Sequence, residues 1–156
     1  LSLDVDGVDY WILKNIDLSG SDIAVVEYNP LFGADYSFTI PDISNFDRNK
    51  YRKIFYGASL KAMIDLMDSK NYFFVGANKA CNNAFFINKK NQHLLPNIVL
   101  ENLKEYTNFK FRELKQNDPS KNKTSNLIKL IEDFEIFELT QKKLIKIKDL
   151  MITITN

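Results

Sequence analysis

The sequence predicts an α/β domain in which parallel strands are followed by an antiparallel hairpin. A strand, an amphipathic helix and a second strand fit within residues 1–29, which is the pattern of a βαβ unit. Further on, apolar runs at residues 72–75 and 84–87 flank a loop rich in asparagine, as in a wide hairpin. The chain has 156 residues, of which 45% are hydrophobic and 26% charged, as in one ordinary globular domain.

The first strand ends in two carboxylates, Asp4 and Asp6, and stops at Gly7. At the two-residue period of a strand, the two aspartates point to one side. In open α/β sheets the ligand crevice lies at the carboxyl ends of the strands, so we expect these carboxylates to border it. A central strand is an unusual place for a protein to begin, and we therefore expect this chain to be the later part of a longer one.

The second strand also ends in oxygen-bearing side chains. Between the two strands, apolar residues at helical spacing predict a helix: Val8, Trp11, Ile12 and Ile16. Residues 23–26 form the buried strand, and Glu27 and Asn29 follow it on one side. Together with Asp4 and Asp6, they offer hard oxygen atoms that suit Mg²⁺, Ca²⁺ or the hydroxyl groups of a polar substrate. The alternative is structural: an aspartate caps the helix and Glu27 forms a buried ion pair.

A long connection spans residues 31–52 and alternates like a short strand at residues 36–40. Near its end lies a basic cluster beside aromatic residues: Arg48, Lys50, Arg52 and Lys53. This cluster can hold a phosphate or a sugar acid, and the alternative is an ordinary solvated face. A helix with Ser59 as its N-cap follows, from apolar residues at helical spacing: Leu60, Met63, Ile64 and Met67.

Residues 96–156 are predicted as an accessory extension of the domain formed by residues 1–95. Their patterns predict two helices, a hairpin and a strand-like end, at residues 96–103, 127–134, 135–148 and 151–156. A polar linker at residues 116–125 separates the two helices.

Charge and composition exclude several classes of protein. The formal net charge of +1 argues against a dedicated nucleic-acid or membrane-surface binder. No apolar run is long enough to span a bilayer. Cys81 is the only cysteine, so an internal disulfide is excluded, which fits a cytoplasmic protein. His93 is the only histidine, which excludes a metal site of several histidines.

Several blocks within residues 1–88 resemble FkbM-type methyltransferases, which are class I S-adenosylmethionine-dependent enzymes. Residues 3–11 are similar to the D-[IV]-[DE]-G-x-[DE]-[YW] stretch at the fourth strand of that family. Three further blocks are similar to one subgroup of the family: residues 26–33, residues 55–60, and residues 75–78 leading to 83–86. Residues 79–81 depart from the glycine-containing turn expected there, and residues 97–156 match nothing in the family.

The resemblance implies the C-terminal part of a Rossmann-like methyltransferase sheet, namely its fourth and fifth strands and closing hairpin, with an α+β C-terminal extension. It implies an O-methyltransferase that uses S-adenosylmethionine, with Mg²⁺ as an option, on a small-molecule or glycan hydroxyl of polysaccharide biosynthesis. The family's glycine-rich cofactor turn falls outside this chain, which contains no G-x-G-x-G pattern. We therefore expect the isolated chain to bind the cofactor poorly and to be inactive alone.

Carried over to this sequence, the resemblance implies a catalytic role for Asp4, Asp6 and Glu27 at the methyl-transfer centre. A metal, where one is used, would be held by Asp6, Glu27 and Asn29. The resemblance also implies contacts with the acceptor substrate: Asn29, Tyr56, Ser59, Asn78 and Asn83. Alternatively, one carboxylate is a general base, and the asparagines only hold their loop through side-chain turns.

Other classes of protein fit parts of the sequence. The D-x-D-G-V start is similar to the first motif of haloacid-dehalogenase-type phosphatases. Those enzymes also need a later acidic pair after a strand, and the one candidate, Glu132-Asp133, is predicted to lie in a helix. A D-x-D can also hold the metal and nucleotide-sugar of a glycosyltransferase. A non-catalytic module that binds sugar or protein is a further hypothesis. Truncation of the sheet before the first strand would expose an open edge there, which predicts a homo-oligomer or aggregation through that edge.

Overall fold

A computed structural model describes residues 1–95, 103–107 and 124–154, which form two sheets with helices. The first sheet contains four strands: β1 (Ser2–Leu3), β2 (Ile23–Glu27), β4 (Tyr72–Ala77) and β5 (Asn83–Asn88). The second sheet contains three strands: β3 (Phe38–Thr39), β6 (Glu135–Glu138) and β7 (Lys143–Lys146).

Four α-helices are found among the described residues: α1 (Asp9–Asn15), α2 (Leu60–Ser69), α3 (Thr124–Lys129) and α4 (Ile147–Ile154). There are also short 3₁₀ helices: Pro30–Phe32, Arg48–Tyr51, Lys89–Leu94 and Leu103–Thr107. Within this described part, no helix combines the length and the apolar character needed to cross a lipid bilayer.

The first sheet mixes parallel and antiparallel strands in the order β1-β2-β5-β4. β1 is parallel to β2, with Leu3 opposite Val26, and α1 connects the two. β5 is antiparallel to both β2 and β4. The predicted βαβ unit and hairpin are therefore confirmed, and together they make a mixed α/β fold.

The main core lies between this sheet and the helices α1 and α2. Leu13 of α1 and Met63 and Met67 of α2 are fully buried, together with Val26 of β2. Ser59 caps α2 as predicted, since its hydroxyl oxygen accepts a hydrogen bond from the backbone N–H of Ala62 at 3.1 Å. The α2 helix is thereby anchored at the end of the long connection that follows β2.

A second core joins that connection to the C-terminal part of the chain. β3 pairs with β6, with Phe38 opposite Glu138, so that the C-terminal hairpin extends a strand of the connection. Buried apolar side chains from both parts form this core: Leu31, Ile40, Ile54, Phe55, Leu127, Ile131, Ile136 and Ile147. The described portion of the predicted extension therefore shares a core with the predicted first domain.

Two C-terminal predictions are wrong in detail. Residues 147–154, expected to complete a strand and begin a strand-like end, form α4, because Ile147 and Leu150 lie three residues apart and both pack into the second core. The helix predicted to reach residue 134 ends at Lys129, and residues 130–133 form turns. The helix predicted from residue 96 lies mostly outside the described residues.

β1 and β4 are the two edge strands of the first sheet in the described structure, and β1 is the edge that the sequence predicted to be open. Apolar side chains near it are well exposed: Leu1 at 40%, Val5 at 49% and Ile23 at 55%. Unpaired strand edges of this kind template pairing with another chain. We expect light scattering to show a molar mass that rises with protein concentration, and a monomer at the highest concentration would contradict this expectation.

Candidate functional site

Three carboxylates meet where β1 and β2 end. One carboxylate oxygen from each of Asp4, Asp6 and Glu27 lies within 4.8 Å of the other two. Because β1 and β2 are parallel and in register, the residues that follow them reach the same edge of the sheet. Asp4 and Asp6 are exposed, whereas Glu27 is buried. The structure thus brings together the three residues that the sequence suggested as catalytic.

The loop that carries the two exposed carboxylates is folded around a fourth, Asp9, which sequence reasoning overlooked. The Asp9 carboxylate is fully buried and accepts hydrogen bonds from the backbone N–H groups of Val5 at 2.9 Å and Gly7 at 3.0 Å. Burial raises its pKa, although the backbone hydrogen bonds act in the opposite direction. Val8 is the N-cap of α1, without a capping side chain, so the alternative that Asp4 or Asp6 caps this helix is wrong.

Glu27 is the electrostatically unusual member of the cluster. Only 3% of its surface is exposed, and its Oε2 atom has no hydrogen-bond partner among the residues that the structure describes. Burial, followed by the negative charge of Asp4, raises the pKa of Glu27 from 4.5 to about 9. Arg48 acts in the opposite direction but more weakly. Glu27 is in none of the ion pairs found between described residues, so the alternative of a buried ion pair has no support there. A buried carboxylate in this position requires either a proton or a cation.

One residue of the basic cluster reaches the carboxylates. Arg48 forms an ion pair with the exposed Asp6, and its Nε–H donates to the backbone carbonyl of Lys53 at 2.5 Å. Its guanidinium carbon lies 4.1 Å from the centre of the Tyr56 ring, within the range of a cation–π contact. Tyr56 therefore lies beside the site, where its ring packs against the Arg48 guanidinium.

Two other predicted acceptor contacts are used inside the fold. The buried Asn29 amide donates to the backbone carbonyls of Ile54 at 2.8 Å and Tyr56 at 2.9 Å, and its oxygen accepts from Leu31 N–H at 3.0 Å. Ser59 is fully buried as the cap of α2. These contacts fasten the long connection to the end of β2. A role in binding for either residue stays a prediction.

The two hairpin asparagines have different environments. Asn78 closes the β4–β5 loop, because its side-chain oxygen accepts from the backbone N–H groups of Asn82 at 3.1 Å and Asn83 at 3.2 Å. Asn83 pairs directly with Glu27 across β2 and β5, which places the two side chains on the same face of the sheet. Of the hairpin residues singled out from the sequence, Asn83 is therefore the one beside the carboxylates.

The acidic pair that a phosphatase would need was predicted to lie in a helix, and this prediction is wrong. Glu132 and Asp133 lie in the turns between α3 and β6, and Asp133 forms an ion pair with Lys148 at 2.9 Å. Neither belongs to the carboxylate cluster found among the described residues. The structure therefore gives the phosphatase hypothesis no support.

The fold and the site define a mixed α/β domain with an acidic cluster at the ends of two parallel strands. Comparisons with models of protein families, with curated proteins and with solved structures find no match to this chain. The family resemblance therefore stays a prediction that depends on the sequence blocks alone.

Proposed function

We propose that the chain is the acceptor-side part of an S-adenosylmethionine-dependent O-methyltransferase, and that Asp4, Asp6 and Glu27 hold a divalent cation beside the acceptor hydroxyl. The observation that carries the cation site is the buried Oε2 atom of Glu27, which has no hydrogen-bond partner in the described part of the chain and belongs to a carboxylate that meets two others. Native proteins rarely leave such an atom without a partner, so a ligand at this position explains it.

The spacing of the oxygen atoms suits a hard cation. In an octahedral Mg²⁺ site, oxygen ligands on opposite sides of the ion are about 4.2 Å apart, and around Ca²⁺ they are about 5 Å apart. The three carboxylate oxygens all lie within 4.8 Å of one another, so a small closure of the cluster brings them onto one Ca²⁺ or Mg²⁺ ion. Three carboxylates also supply the negative charge that such an ion requires.

The cation would act on the acceptor rather than on the cofactor. A divalent cation lowers the pKa of a bound hydroxyl group and so favours its deprotonated, nucleophilic form. The strand-end residues would position that oxygen, and positioning contributes much of the rate of a displacement reaction. Because the sequence contains no glycine-rich turn for S-adenosylmethionine, we limit the role of this chain to binding the acceptor.

A second candidate function is a non-catalytic module that binds a cation or a glycan. It is favoured by the internal use of Asn29, Ser59 and Asn78, whose side chains are hydrogen-bonded within the fold. This arrangement leaves fewer polar groups to recognise an acceptor. The two proposals share the cation site and differ in whether the cofactor binds.

We expect calorimetric titration of CaCl₂ into this chain to show one site with a dissociation constant of about 10⁻⁴ M. The double variant Asp4→Asn, Asp6→Asn should lose this binding, because it removes two of the three charges. Asp68→Asn is a matched control, since Asp68 is an exposed carboxylate that pairs with Lys89 outside the cluster. Wild-type affinity in the double variant would contradict the cation site.

The methyltransferase assignment has its own titration. S-adenosylmethionine is titrated, with and without Mg²⁺, into this chain and into a version that carries any residues encoded before Leu1 in the source gene. Binding to the longer version alone would support the methyltransferase proposal. Cation binding without cofactor binding to either version would favour the non-catalytic module.

A further inference from the structure

Arg48 places a positive charge at the mouth of the carboxylate cluster. Its side chain is held at the Tyr56 ring and at the carbonyl of Lys53, and its Nη1 atom contacts Asp6. Only 17% of the Arg48 side chain is exposed, against 58% for Asp6. The guanidinium therefore neutralises one of the three carboxylates that a divalent cation would use, and it competes with that cation for Asp6.

Next to this ion pair is a polar cleft of about 380 Å³. Within the described ranges, the charged residues that line it are Asp6, Asp47, Arg48 and Lys53. The Asp47 carboxylate accepts hydrogen bonds at 3.0 Å from both the backbone N–H and the side-chain amide of Asn49, and so caps the short helix that begins at Arg48. When a cation neutralises Asp6, Arg48 and Lys53 outweigh Asp47 among the described charged residues of the cleft.

Building on the proposed cation site, we infer that this cleft binds an anionic group of the acceptor, a phosphate or a sugar carboxylate, through Arg48 and Lys53, and that the cation and the anion bind cooperatively. The cation displaces Arg48 from Asp6, and the guanidinium edge that faced Asp6 turns to the anion. An arginine fork suits either anion, because both present two oxygen atoms to parallel N–H groups.

The cooperativity follows from the competition at Asp6. A cation that binds alone must separate Arg48 from its carboxylate, and an anion that binds alone must do the same. When both bind, this separation occurs once, so each ligand raises the affinity for the other by the same factor. If the Arg48–Asp6 ion pair were as weak as an ordinary surface pair, its separation would cost little, and the cation and the anion would bind independently.

The inference is tested by calorimetric titration of MgCl₂ at constant ionic strength, alone and with methyl phosphate, glucuronate or the neutral methyl glucoside. We expect at least a fivefold gain in Mg²⁺ affinity with one of the two anions and no change with the neutral sugar. The anion with the larger effect distinguishes a phosphate from a carboxylate on the acceptor. Unchanged Mg²⁺ affinity with both anions would overturn the inference and leave the cation site standing.

Variants separate the inference from the cation site itself. Arg48→Met should bind Mg²⁺ more tightly than the wild-type chain and should lose the effect of the anion. Lys53→Met should weaken the effect of the anion and should change the affinity for Mg²⁺ alone less than Arg48→Met does, because the Lys53 carbonyl that holds Arg48 belongs to the backbone. The control Arg52→Met removes an exposed charge of the same cluster, outside the cleft, and should behave like the wild-type chain.

Two results would count against these assignments. An anion effect that persists in Arg48→Met would overturn the role of Arg48 and hence the inference. Absence of Mg²⁺ binding in both the wild-type chain and Arg48→Met would overturn the proposed cation site, and the inference with it.

Discussion

The Glu27→Gln variant is expected to be more stable than the wild-type chain at pH 8, by about 2 kcal/mol, and to lose its response to Ca²⁺. The substitution keeps the shape of the buried side chain and removes a group that must either stay protonated or lie buried with an unpartnered charge. For a chain of 156 residues, this difference corresponds to a rise in Tm of about 5 °C.

The pH dependence of this effect follows from the raised pKa. Folding raises the pKa of Glu27 from 4.5 to about 9, so between these values the folded chain keeps a proton that the unfolded chain releases. The contribution of Glu27 to stability is therefore present below pH 4.5 and is lost as the pH rises towards 9. Glutamine does not titrate, and the difference in Tm between the variant and the wild-type chain should grow from pH 5 to pH 8.

Thermal unfolding at pH 5 and pH 8, with and without CaCl₂, measures both parts of this prediction. A cation at about 100 times its dissociation constant should stabilise the wild-type chain by about 2.7 kcal/mol and should leave Glu27→Gln unchanged. Glu135→Gln is the matched control, because Glu135 is an exposed glutamate on β6, opposite Lys146. A Glu27→Gln variant that is less stable than the wild-type chain at pH 8 would show that the carboxylate has a partner in solution.

The parts of the fold that the sequence predicts are those specified by local patterns. The βαβ unit follows from two short apolar runs around an amphipathic helix, and the hairpin follows from two apolar runs around an asparagine-rich loop. The site at the ends of β1 and β2 follows in turn, because parallel neighbours place their carboxyl ends together. The strand assignment therefore predicts that the segment after β1 lies beside Glu27. It does not predict the turn that carries Asp4 and Asp6, because β1 ends at Leu3 and the turn is held by hydrogen bonds to Asp9.

The rest of the site depends on contacts that no local pattern encodes. Arg48 reaches Asp6 across 42 residues of sequence, and the sequence shows it only as one of four basic residues in a cluster. Asn29 follows β2 at the spacing expected of a ligand, but its side-chain amide donates inward to backbone carbonyls 25 and 27 residues away in the sequence.

The fold of α4 also depends on distant contacts. Its short alternating run satisfies the strand pattern and the helix pattern equally, and packing against the second core decides the outcome.

The Asp9→Ala variant is expected to destabilise the chain by about 3 kcal/mol. It should also weaken Ca²⁺ binding, although Asp9 is not one of the three clustered carboxylates. Alanine leaves the backbone N–H groups of Val5 and Gly7 without their acceptor, and each such loss costs about 1–3 kcal/mol where the group is buried. Between them lies Asp6, whose φ of 55° is in the left-handed region. This conformation is less favourable for a residue with a side chain than for glycine, although aspartate adopts it more readily than most, and the Asp9 hydrogen bonds on either side maintain it.

Urea unfolding measures the stability of this variant, and calorimetric titration of CaCl₂ measures the site. The matched control is Asp17→Ala, because Asp17 also accepts a backbone N–H, from Ser19 at 2.9 Å, but is exposed and distant in sequence from the carboxylates. Its cost should stay below about 1 kcal/mol, with no change in Ca²⁺ affinity. Asp9→Asn separates geometry from charge, since it removes the charge but keeps one acceptor oxygen. If Asp9→Ala folds and binds Ca²⁺ as tightly as the wild-type chain, Asp4 and Asp6 do not depend on this buried carboxylate for their positions.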